Sequence, residues 1–293
     1  MTRIIKGNYI YEFSHEHKPV ASVCIGESFI VETIDCYSGN LQSENDLLTN
    51  FPHLKPNPAT GPIFIENVSK GDLLEIHIQK IELSEYGIMP TRPNRGWLGE
   101  YIREPQTRIL PIDNDIITLN ETVQFIANKM IGVIGVAPDI GAVPNSTPGD
   151  HGGNMDTKDI TEGNILYLPV FHPGGLLALG DLHAAMGDGE LNGSGVEVGG
   201  KVTLTVNKIE GFHLNMPIVK TSNEVIIIAS AKELQDAIKK CMKEAIRLIQ
   251  QKNGLEFADA YRLVSAKGDL RISQLVNPEV TVRIALPKEW IAI

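Results

Sequence analysis

The chain has 293 residues, a length that fits one large domain or two smaller ones. Hydrophobic residues make up 42% and charged residues 21% of the chain, which is ordinary globular usage and argues against disorder. The formal net charge of −10 argues against a general binder of nucleic acids or anionic membranes, since both need a basic face.

The sequence predicts neither a targeting segment nor a membrane span. Its most apolar stretches, 176–179 and 225–229, are far shorter than the roughly 20 residues that a spanning helix needs. Cys24, Cys36 and Cys241 show no metal-finger spacing, and free thiols in a reducing compartment are expected. We therefore expect a cytoplasmic protein that binds neither nucleic acid nor membrane.

The first two thirds of the chain are typical of a β-rich region. Apolar and polar side chains alternate over Ser28–Thr33, Leu73–Leu83 and 201–209, and this period of two predicts strands with one buried face. A short β-branched run at 131–136 predicts a further strand. Glycine and proline are dense between residues 132 and 200, which indicates a loop-rich architecture.

The hydrophobic period changes in the C-terminal region. The run Ser230-Ala231-Lys232-Glu233 matches a capping box, and we expect it to open a helix at 231–252 that stops at Gly254. A second helix is expected at 255–266, and an alternating strand follows at 280–286.

Together these elements predict a mainly β fold of the sandwich or barrel type, with a C-terminal α/β element that carries two helices, and thus α+β overall. We expect residues 1–211 to form the β-rich domain that carries the active-site loops. Residues 212–293 are expected to form a strand–helix–helix–strand element that packs on the same core.

The run from Gly180 to Glu190 is the strongest candidate for a site. An apolar run at 176–179 precedes it, so we expect a buried strand to end here. Side chains two apart share a face of an extended segment, and Asp181 and His183 are therefore expected to project together. A carboxylate and an imidazole at this spacing suit Zn²⁺. The alternative is a hydrogen-bonded strand end followed by a solvated turn.

A second cluster puts oxygen-bearing side chains every few residues along a glycine-loosened loop. They are Asp150, Asn154, Asp156, Asp159 and Glu162. This ligand type is similar to that of a Ca²⁺ cage, although the spacing is not that of an EF-hand. A plain polar loop is the alternative.

Three more residues are candidates. Asp35 follows the strand predicted at Ser28–Thr33, where catalytic carboxylates often lie, but an aspartate that starts a turn is equally common. Cys36 offers a ligand or a nucleophile, with simple packing as the alternative. His53 lies in a proline-rich loop that is able to swing into a site.

Several segments, in a fixed order over roughly residues 30 to 200, resemble the acetamidase/formamidase family. They are Asp35-Cys36-Tyr37-Ser38-Gly39, the run from Asn57 to Glu66, the run from Gly149 to Asp156, Leu168-Pro169-Val170, and the run from Gly180 to Glu190. The combination of His-Gly-Gly-Asn with Gly-Asp-x-His-Ala is specific. The family often has Gln at the position of Met186, a difference that makes a pocket lined by this residue more apolar.

The resemblance implies a metal-binding, β-rich enzyme that hydrolyses small linear amides such as formamide or acetamide to an acid and ammonia. Zn²⁺ polarises a carbonyl and lowers the pKa of bound water to about 7. Catalytic zinc sites usually have three protein ligands and an open position. We therefore assign Asp181 and His183 as two ligands and Asp35 as the third, with His53 in reserve.

A carboxylate outside the ligand set must remove a proton from water and return one to the departing nitrogen. Glu190 is the predicted base because its glycine-rich turn closely follows the ligand strand, and Glu66 is the alternative. His151 and Asn154 are expected to hydrogen-bond the amide or its oxyanion.

Two rival functions stay open: a non-catalytic metal-binding β-sandwich, and a metal-dependent hydrolase for another non-peptide C–N bond. Besides a small amide as substrate, we expect a homo-oligomer, a dimer or larger, because Trp97, Phe171 and Trp290 have no evident apolar partners in the sequence.

Overall fold

The protein is built mainly from β-strands. The computed structural model describes residues 3–293. In chain order its strands are β1 (Arg3–Ile5), β2 (Tyr9–Ile10), β3 (Glu12–Ser14), β4 (Ala21–Val23), β5 (Ser28–Thr33), β6 (Ala59–Ile65), β7 (Leu73–Leu83), β8 (Tyr86–Thr91), β9 (Gln106–Asp113), β10 (Ile116–Thr118), β11 (Gln124–Ile126), β12 (Met130–Gly135), β13 (Ala142–Pro144), β14 (Gly152–Asn154), β15 (Ile165–Pro169), β16 (Leu177–His183), β17 (Glu197–Val198), β18 (Gly200–Ile209), β19 (Ile218–Lys220), β20 (Glu224–Ala231), β21 (Asp269–Gln274) and β22 (Val280–Pro287). Its α-helices are α1 (Leu234–Asn253) and α2 (Phe257–Lys267). Within residues 3–293 no α-helix precedes α1, so the predicted mainly β fold with two late helices is confirmed.

Most strands belong to two large sheets. One has nine strands in the order β1-β5-β18-β7-β15-β19-β20-β22-β21, and the other has eleven. The main path of the eleven-stranded sheet is β11-β10-β9-β8-β17-β16-β12-β14, and β6 pairs with β16 as well as with β2 and β4. A two-stranded sheet joins β13 and β3. The predicted strands at Ser28–Thr33 and Leu73–Leu83 have the predicted bounds.

The main hydrophobic core lies between the two large sheets. Val31, Ile76 and Leu204 enter it from the nine-stranded sheet. Leu179 and Ile134 enter the same cluster from the eleven-stranded sheet. Two sheets that share one apolar layer form a β-sandwich, which is the architecture that the strand periodicity predicts.

Strand β20 joins the C-terminal element to the sandwich. Ile226 and Ile228 belong to the main core, whereas Val225, Ile227 and Ala229 belong to a second apolar cluster that α1 and α2 also enter. Residues 225–229 of the strand are all apolar, as is typical of a strand that is covered on both faces. Since β15 pairs with β19, one sheet runs through both of the predicted domains. The predicted division at 211 stays a prediction.

The helices lie close to their predicted bounds, but the predicted capping box is wrong. Strand β20 continues through Ala231, and the Ser230 hydroxyl lies 2.9 Å from that of Thr281 on β22. Helix α1 begins only after Glu233, and Gly254 ends it in the left-handed conformation with φ 65°. Within residues 3–293, no helix is both long and apolar enough to span a membrane.

The three aromatic residues behind the oligomer prediction differ in their surroundings. Phe171 packs against the main core and Trp290 against the second cluster, so both have partners within the chain. Trp97 is 59% exposed. The homo-oligomer stays a prediction.

Candidate active site

Strand β16 carries the two residues that the sequence predicts to lie together. Asp181 and His183 are buried at its end. The regular alternation of side chains breaks here. Leu179 and Leu182 both contact the main core, although residues three apart in a regular strand face opposite sides, and Asp181 between them has a φ of 55°. Asp181 Oδ1 lies 3.7 Å from His183 Nε2. The two side chains meet through a local break in the strand rather than through regular alternation.

Three further carboxylates surround His183. Glu197 Oε2 approaches His183 Nε2 to 3.1 Å, and Asp156 Oδ1 lies 3.9 Å from the same nitrogen. Glu190, Asp156 and His183 offer ligand atoms within 4.8 Å of one another. With Asp181, these side chains form a buried cluster of four carboxylates and one imidazole.

The cluster and its neighbour Cys36 form two adjacent groups of potential metal ligands. They are Cys36, Asp181 and Glu197, and Asp156, His183 and Glu190, each group with ligand atoms within 4.8 Å of one another. Thiolate, imidazole and carboxylate are the ligands that zinc takes in proteins. The donor set therefore fits a divalent cation that accepts nitrogen and sulfur as well as oxygen.

Burial controls the ionisation of these carboxyl groups. It raises the pKa of Asp156 and that of Asp181 to about 6 each. Burial and the charge of Asp156 raise the pKa of Glu190 well above its usual range. For Glu197 burial acts in the same direction, but the nearby positive charge of His183 outweighs it and lowers the pKa. Four carboxylates this close resist joint ionisation unless a cation compensates them.

Asparagine amides connect the carboxylates. When its side-chain amide is assigned the orientation that gives both ends a partner, the amide nitrogen of Asn154 donates to Asp181 Oδ2 at 3.1 Å and to Asp156 Oδ2 at 3.2 Å. The amide oxygen of Asn154 accepts from Asn57 and Asn277, each at 3.0 Å. Asn277 also donates to Asp156 at 2.7 Å, and Asn57 donates to Asp181 at 3.2 Å. Such supporting bonds fix the direction in which a potential ligand presents its oxygens.

The C-terminal element holds the turn that carries Glu190. Arg283 on β22 is 2% exposed and donates to Asp188 at 2.9 Å. The backbone N–H of Gly189 donates to the Ser273 carbonyl at 2.9 Å. Because these contacts fix the two residues before Glu190, strands that are distant in the chain help to determine where its carboxylate lies.

A cavity of about 320 Å³ opens onto the cluster. The buried acids Asp181, Glu190 and Glu197 line its inner part. Arg92, which is exposed, and Arg95, which is half-buried, line its outer part. Water and a small polar molecule therefore have a route to the carboxylates.

Glycine residues make room for the closest contacts of the cluster. A Cβ on Gly195 would lie 2.5 Å from His183 Nδ1, and a Cβ on Gly132 would lie 2.6 Å from an oxygen of Asp156. Glu197 Oε2 is buried and its contact with His183 lacks hydrogen-bond geometry, so this oxygen has no hydrogen-bond partner. Buried polar atoms without partners are uncommon, and a cation is one group that satisfies them.

Asp35 and His53, the predicted third ligand and its reserve, belong to neither ligand group. The Asp35 carboxylate accepts the backbone N–H groups of Tyr37 at 2.8 Å and Gly39 at 3.1 Å, as a turn-starting aspartate does. His53 is exposed and lines a different cavity. In place of Asp35, the structure brings Glu197 to His183.

Glu66, the alternative base, lies far from the cluster. Ala59 at the start of β6 pairs with Gly180, whereas Glu66 follows the other end of that strand. At about 3.3 Å per residue this separation is roughly 20 Å. The Glu66 carboxylate instead accepts the Ser22 hydroxyl at 2.9 Å and the Cys24 thiol at 3.4 Å.

The two predicted substrate-binding residues differ in position. Asn154 lines the cavity, but its amide nitrogen is engaged by Asp156 and Asp181. His151 packs edge-on against Phe13, with ring centroids 5.2 Å apart, and does not line the cavity. Burial lowers the pKa of His151 to about 4, so it is neutral at neutral pH.

The oxygen-bearing loop does not form one cage. Asp150 pairs with Lys240 at 2.7 Å, and Asp159 pairs with Arg283 at 2.6 Å. The Glu162 carboxylate accepts the backbone N–H of Ile81. Asp156 is the only carboxylate of this loop that enters the cluster.

Several residues of the site lie outside the set predicted from sequence. Glu197 carried a local signal in the sequence, since it is an acid between two apolar residues, Val196 and Val198. In the structure its side chain is 3% exposed. Asn57 begins one of the segments that resemble the family, but no role was assigned to it. Asn277 carried no signal, because only the tertiary fold brings it to the acids.

The fold and the cluster define a β-sandwich protein with a buried carboxylate–histidine site that opens onto a small cavity. The chain belongs to the Acetamidase/Formamidase family, whose sequence profile matches residues 12–143 and 142–292. The resemblance predicted from the motifs is confirmed.

Solved structures of family members are similar over nearly the whole chain. An acetamidase from Bacillus halodurans is 41% identical with a TM-score of 0.96, and the similarity covers 98% of each chain. A predicted acetamidase/formamidase from Thermoanaerobacter tengcongensis is 42% identical with a TM-score of 0.95, over 99% of this chain and 96% of that one.

Curated relatives match over shorter spans. An acetamidase from Mycolicibacterium smegmatis is 45% identical over 65 residues, which are 22% of this chain and 16% of that protein. Across the curated relatives that it matches, the chain spans between 16% and 62% of their length.

Proposed function

We propose that this chain is a metal-dependent amidase that hydrolyses small linear amides to a carboxylic acid and ammonia. One observation carries the proposal: of four buried carboxylates clustered around one imidazole, three line a cavity large enough for such a substrate. Membership of a family whose solved relatives include an acetamidase supports the same reaction.

The proposed metal is zinc. The residues that would hold it come from both ligand groups. They are Asp181, Glu197 and Cys36 from one group, and His183 and Asp156 from the other. An imidazole nitrogen and a thiol favour zinc over calcium, which takes oxygen ligands only. When bound, a divalent cation polarises an amide carbonyl and lowers the pKa of water to about 7.

Glu190 is the proposed proton carrier. Its carboxyl lines the cavity, and burial beside Asp156 raises its pKa, which makes the carboxylate a stronger base. It would accept a proton from the attacking water and return it to the departing nitrogen, which must leave as ammonia because an amide anion is a very poor leaving group. Asn154 and Asn57 would keep Asp156 and Asp181 oriented during these steps.

Ammonia release from a panel of amides tests the proposal. Purified protein loaded with zinc is incubated with formamide, acetamide, propionamide, a lactam and a dipeptide, before and after treatment with a chelator. We expect ammonia from the linear amides alone and a fall of on the order of 10³-fold or more after the metal is removed. Turnover of the lactam alone would assign the site to another C–N bond. Metal binding without turnover of any amide would favour the non-catalytic sandwich.

A further inference from the structure

Two arginines at the outer part of the cavity have no acidic partner. Within residues 3–293, neither Arg92 nor Arg95 has a carboxylate oxygen within 4.0 Å, whereas six of the nine arginines of the chain form ion pairs. The remaining unpaired arginine, Arg103, does not line the cavity. In a chain of net charge −10, two unpaired guanidinium groups beside one cavity concentrate positive charge there.

The segment that carries both arginines is docked onto the segment that follows Glu190. The backbone N–H of Trp97 donates to the Leu191 carbonyl at 2.9 Å. Asn192 donates from its side chain to the Pro90 carbonyl at 3.1 Å. These bonds tie both ends of the arginine segment to the wall of the same cavity.

Two glycines allow this close docking. A Cβ on Gly193 would lie 2.6 Å from Nε of Arg95, so the absence of a side chain at Gly193 lets the Arg95 side chain pack directly on the Gly193 backbone. A Cβ on Gly96 would lie 2.5 Å from the Leu191 carbonyl oxygen. Arg95 is therefore held against the cavity wall, and a group positioned before binding loses less conformational entropy when its ligand arrives.

The cavity is larger than the smallest amides require. Its volume of about 320 Å³ lies at the lower end of the roughly 300–1,000 Å³ found for sites of larger organic ligands. Acetamide has only four non-hydrogen atoms. A longer substrate would extend from the acids Asp181 and Glu190 toward Arg92 and Arg95.

We propose that the preferred substrate is a short aliphatic amide with a carboxylate at its other end, that is, the monoamide of a dicarboxylic acid. The guanidinium groups would take the carboxylate, since their planar forks of N–H donors match its two oxygens. The amide would then lie at the buried acids. Water adds its oxygen to the carbonyl carbon, the C–N bond breaks, and nitrogen leaves with a proton as ammonia, so the product is a dicarboxylate.

This inference rests on the proposed amidase function, and a matched pair of substrates tests it separately. Succinamate and 4-methylpentanamide have the same number of non-hydrogen atoms and differ in a terminal carboxylate against an isopropyl group. We expect kcat/KM for succinamate to be at least tenfold higher in the wild type. Arg95→Met and Arg92→Met should each reduce that preference on the order of tenfold, as the loss of a charged hydrogen bond does. Arg103→Met is the control and should keep both the preference and the rate.

Equal kcat/KM for the two substrates in an enzyme that hydrolyses acetamide would overturn the inference and leave the amidase function standing. Binding of succinate, measured by calorimetry, does not require turnover. We expect Arg95→Met to weaken that binding about tenfold relative to Arg103→Met. If both variants bind succinate equally, the outer part of the cavity does not recognise carboxylates, whether or not the protein hydrolyses any amide.

Discussion

The sandwich and the C-terminal element contribute different things to the site. Every residue in the two groups of potential ligands lies at or before position 197, on the sandwich strands and their loops. The element that follows residue 211 adds no ligand, but Asn277 orients Asp156 and Arg283 holds the turn before Glu190. One region supplies the reactive groups, and the other determines where they lie.

This difference has a physical basis in strand order. Strand β22 has Val282 and Ile284 in the apolar cluster with the helices, whereas Arg283 between them faces the turn of Asp188. Because side chains alternate across a strand, one strand packs the helices and supports the site at the same time. Substitutions in each region should therefore change metal content, turnover and stability in different ways.

The largest effect is expected from the sandwich side. Replacing Asp181 and His183 together with alanine removes one donor from each ligand group, so bound metal should be lost and turnover should fall by on the order of 10³-fold or more. Elemental analysis and ammonia release on the same sample check this. Asp150→Asn, which alters a half-buried acid that is paired with Lys240 and lies outside both ligand groups, is the control. Full metal occupancy in the double variant would contradict the assignment.

A smaller effect is expected from the C-terminal side. Asn277→Ala removes the 2.7 Å hydrogen bond to Asp156 but no ligand, so metal affinity or activity should fall about 10- to 100-fold. Titration of zinc into the metal-free protein measures the affinity. Asn223→Ala, in an exposed turn of the same element, should leave it unchanged. If Asn277→Ala binds zinc like the wild type, the C-terminal element does not orient the cluster.

The pH dependence of stability contains a contribution from His151. Its pKa is about 4 in the folded state and near 6.5 when unfolded, so below pH 6.5 the unfolded chain binds a proton that the folded protein does not. Stability from this group is complete above pH 6.5 and falls as the pH drops toward 4. His151→Phe, which keeps a ring beside Phe13, should reduce the stability lost between pH 8 and pH 5 by about 2 kcal/mol. Urea unfolding at both pH values measures this, and an unchanged loss would refute it.

The smallest effect is expected far from the site. Gly254 ends α1 at a φ of 65°, which alanine adopts with strain, so Gly254→Ala should lower the free energy of unfolding by about 1 kcal/mol. Turnover should stay unchanged, because α1 contributes to the second apolar cluster and not to the ligand groups. Thermal unfolding and ammonia release measured together check both statements. If the folded Gly254→Ala variant lost turnover, the C-terminal end of α1 would contribute to the site, contrary to this prediction.

The elements of the fold that local periodicity determines could be predicted from the sequence. Strands β5 and β7 alternate cleanly, and α1 repeats its apolar residues at helical spacing, so their existence and approximate bounds follow from residues close in the chain. The start of α1 did not follow. Ser230 matches a capping residue, but its pairing with Thr281 in the sheet satisfies its hydroxyl and extends β20.

The site divides in the same way. Asp181 and His183 are two residues apart, and their proximity could be predicted even though the strand breaks between Leu179 and Leu182. Asp156 stood among the oxygen-bearing residues of its loop, but nothing local separates it from Asp159, which pairs with Arg283 instead. Contacts with residues far along the chain select which acids converge, and spacing in one sequence does not contain that information.

The most direct test concerns Glu190 as the proton carrier. Glu190→Gln keeps the size and polarity of the side chain but removes its ability to accept the proton. Because Glu190 also belongs to a ligand group, turnover and metal content must be measured on the same sample. We expect a fall in kcat of about 10²- to 10⁴-fold with acetamide, at the metal content of the wild type. Retained turnover would contradict it, and a loss of metal in step with turnover would make Glu190 a ligand rather than the base.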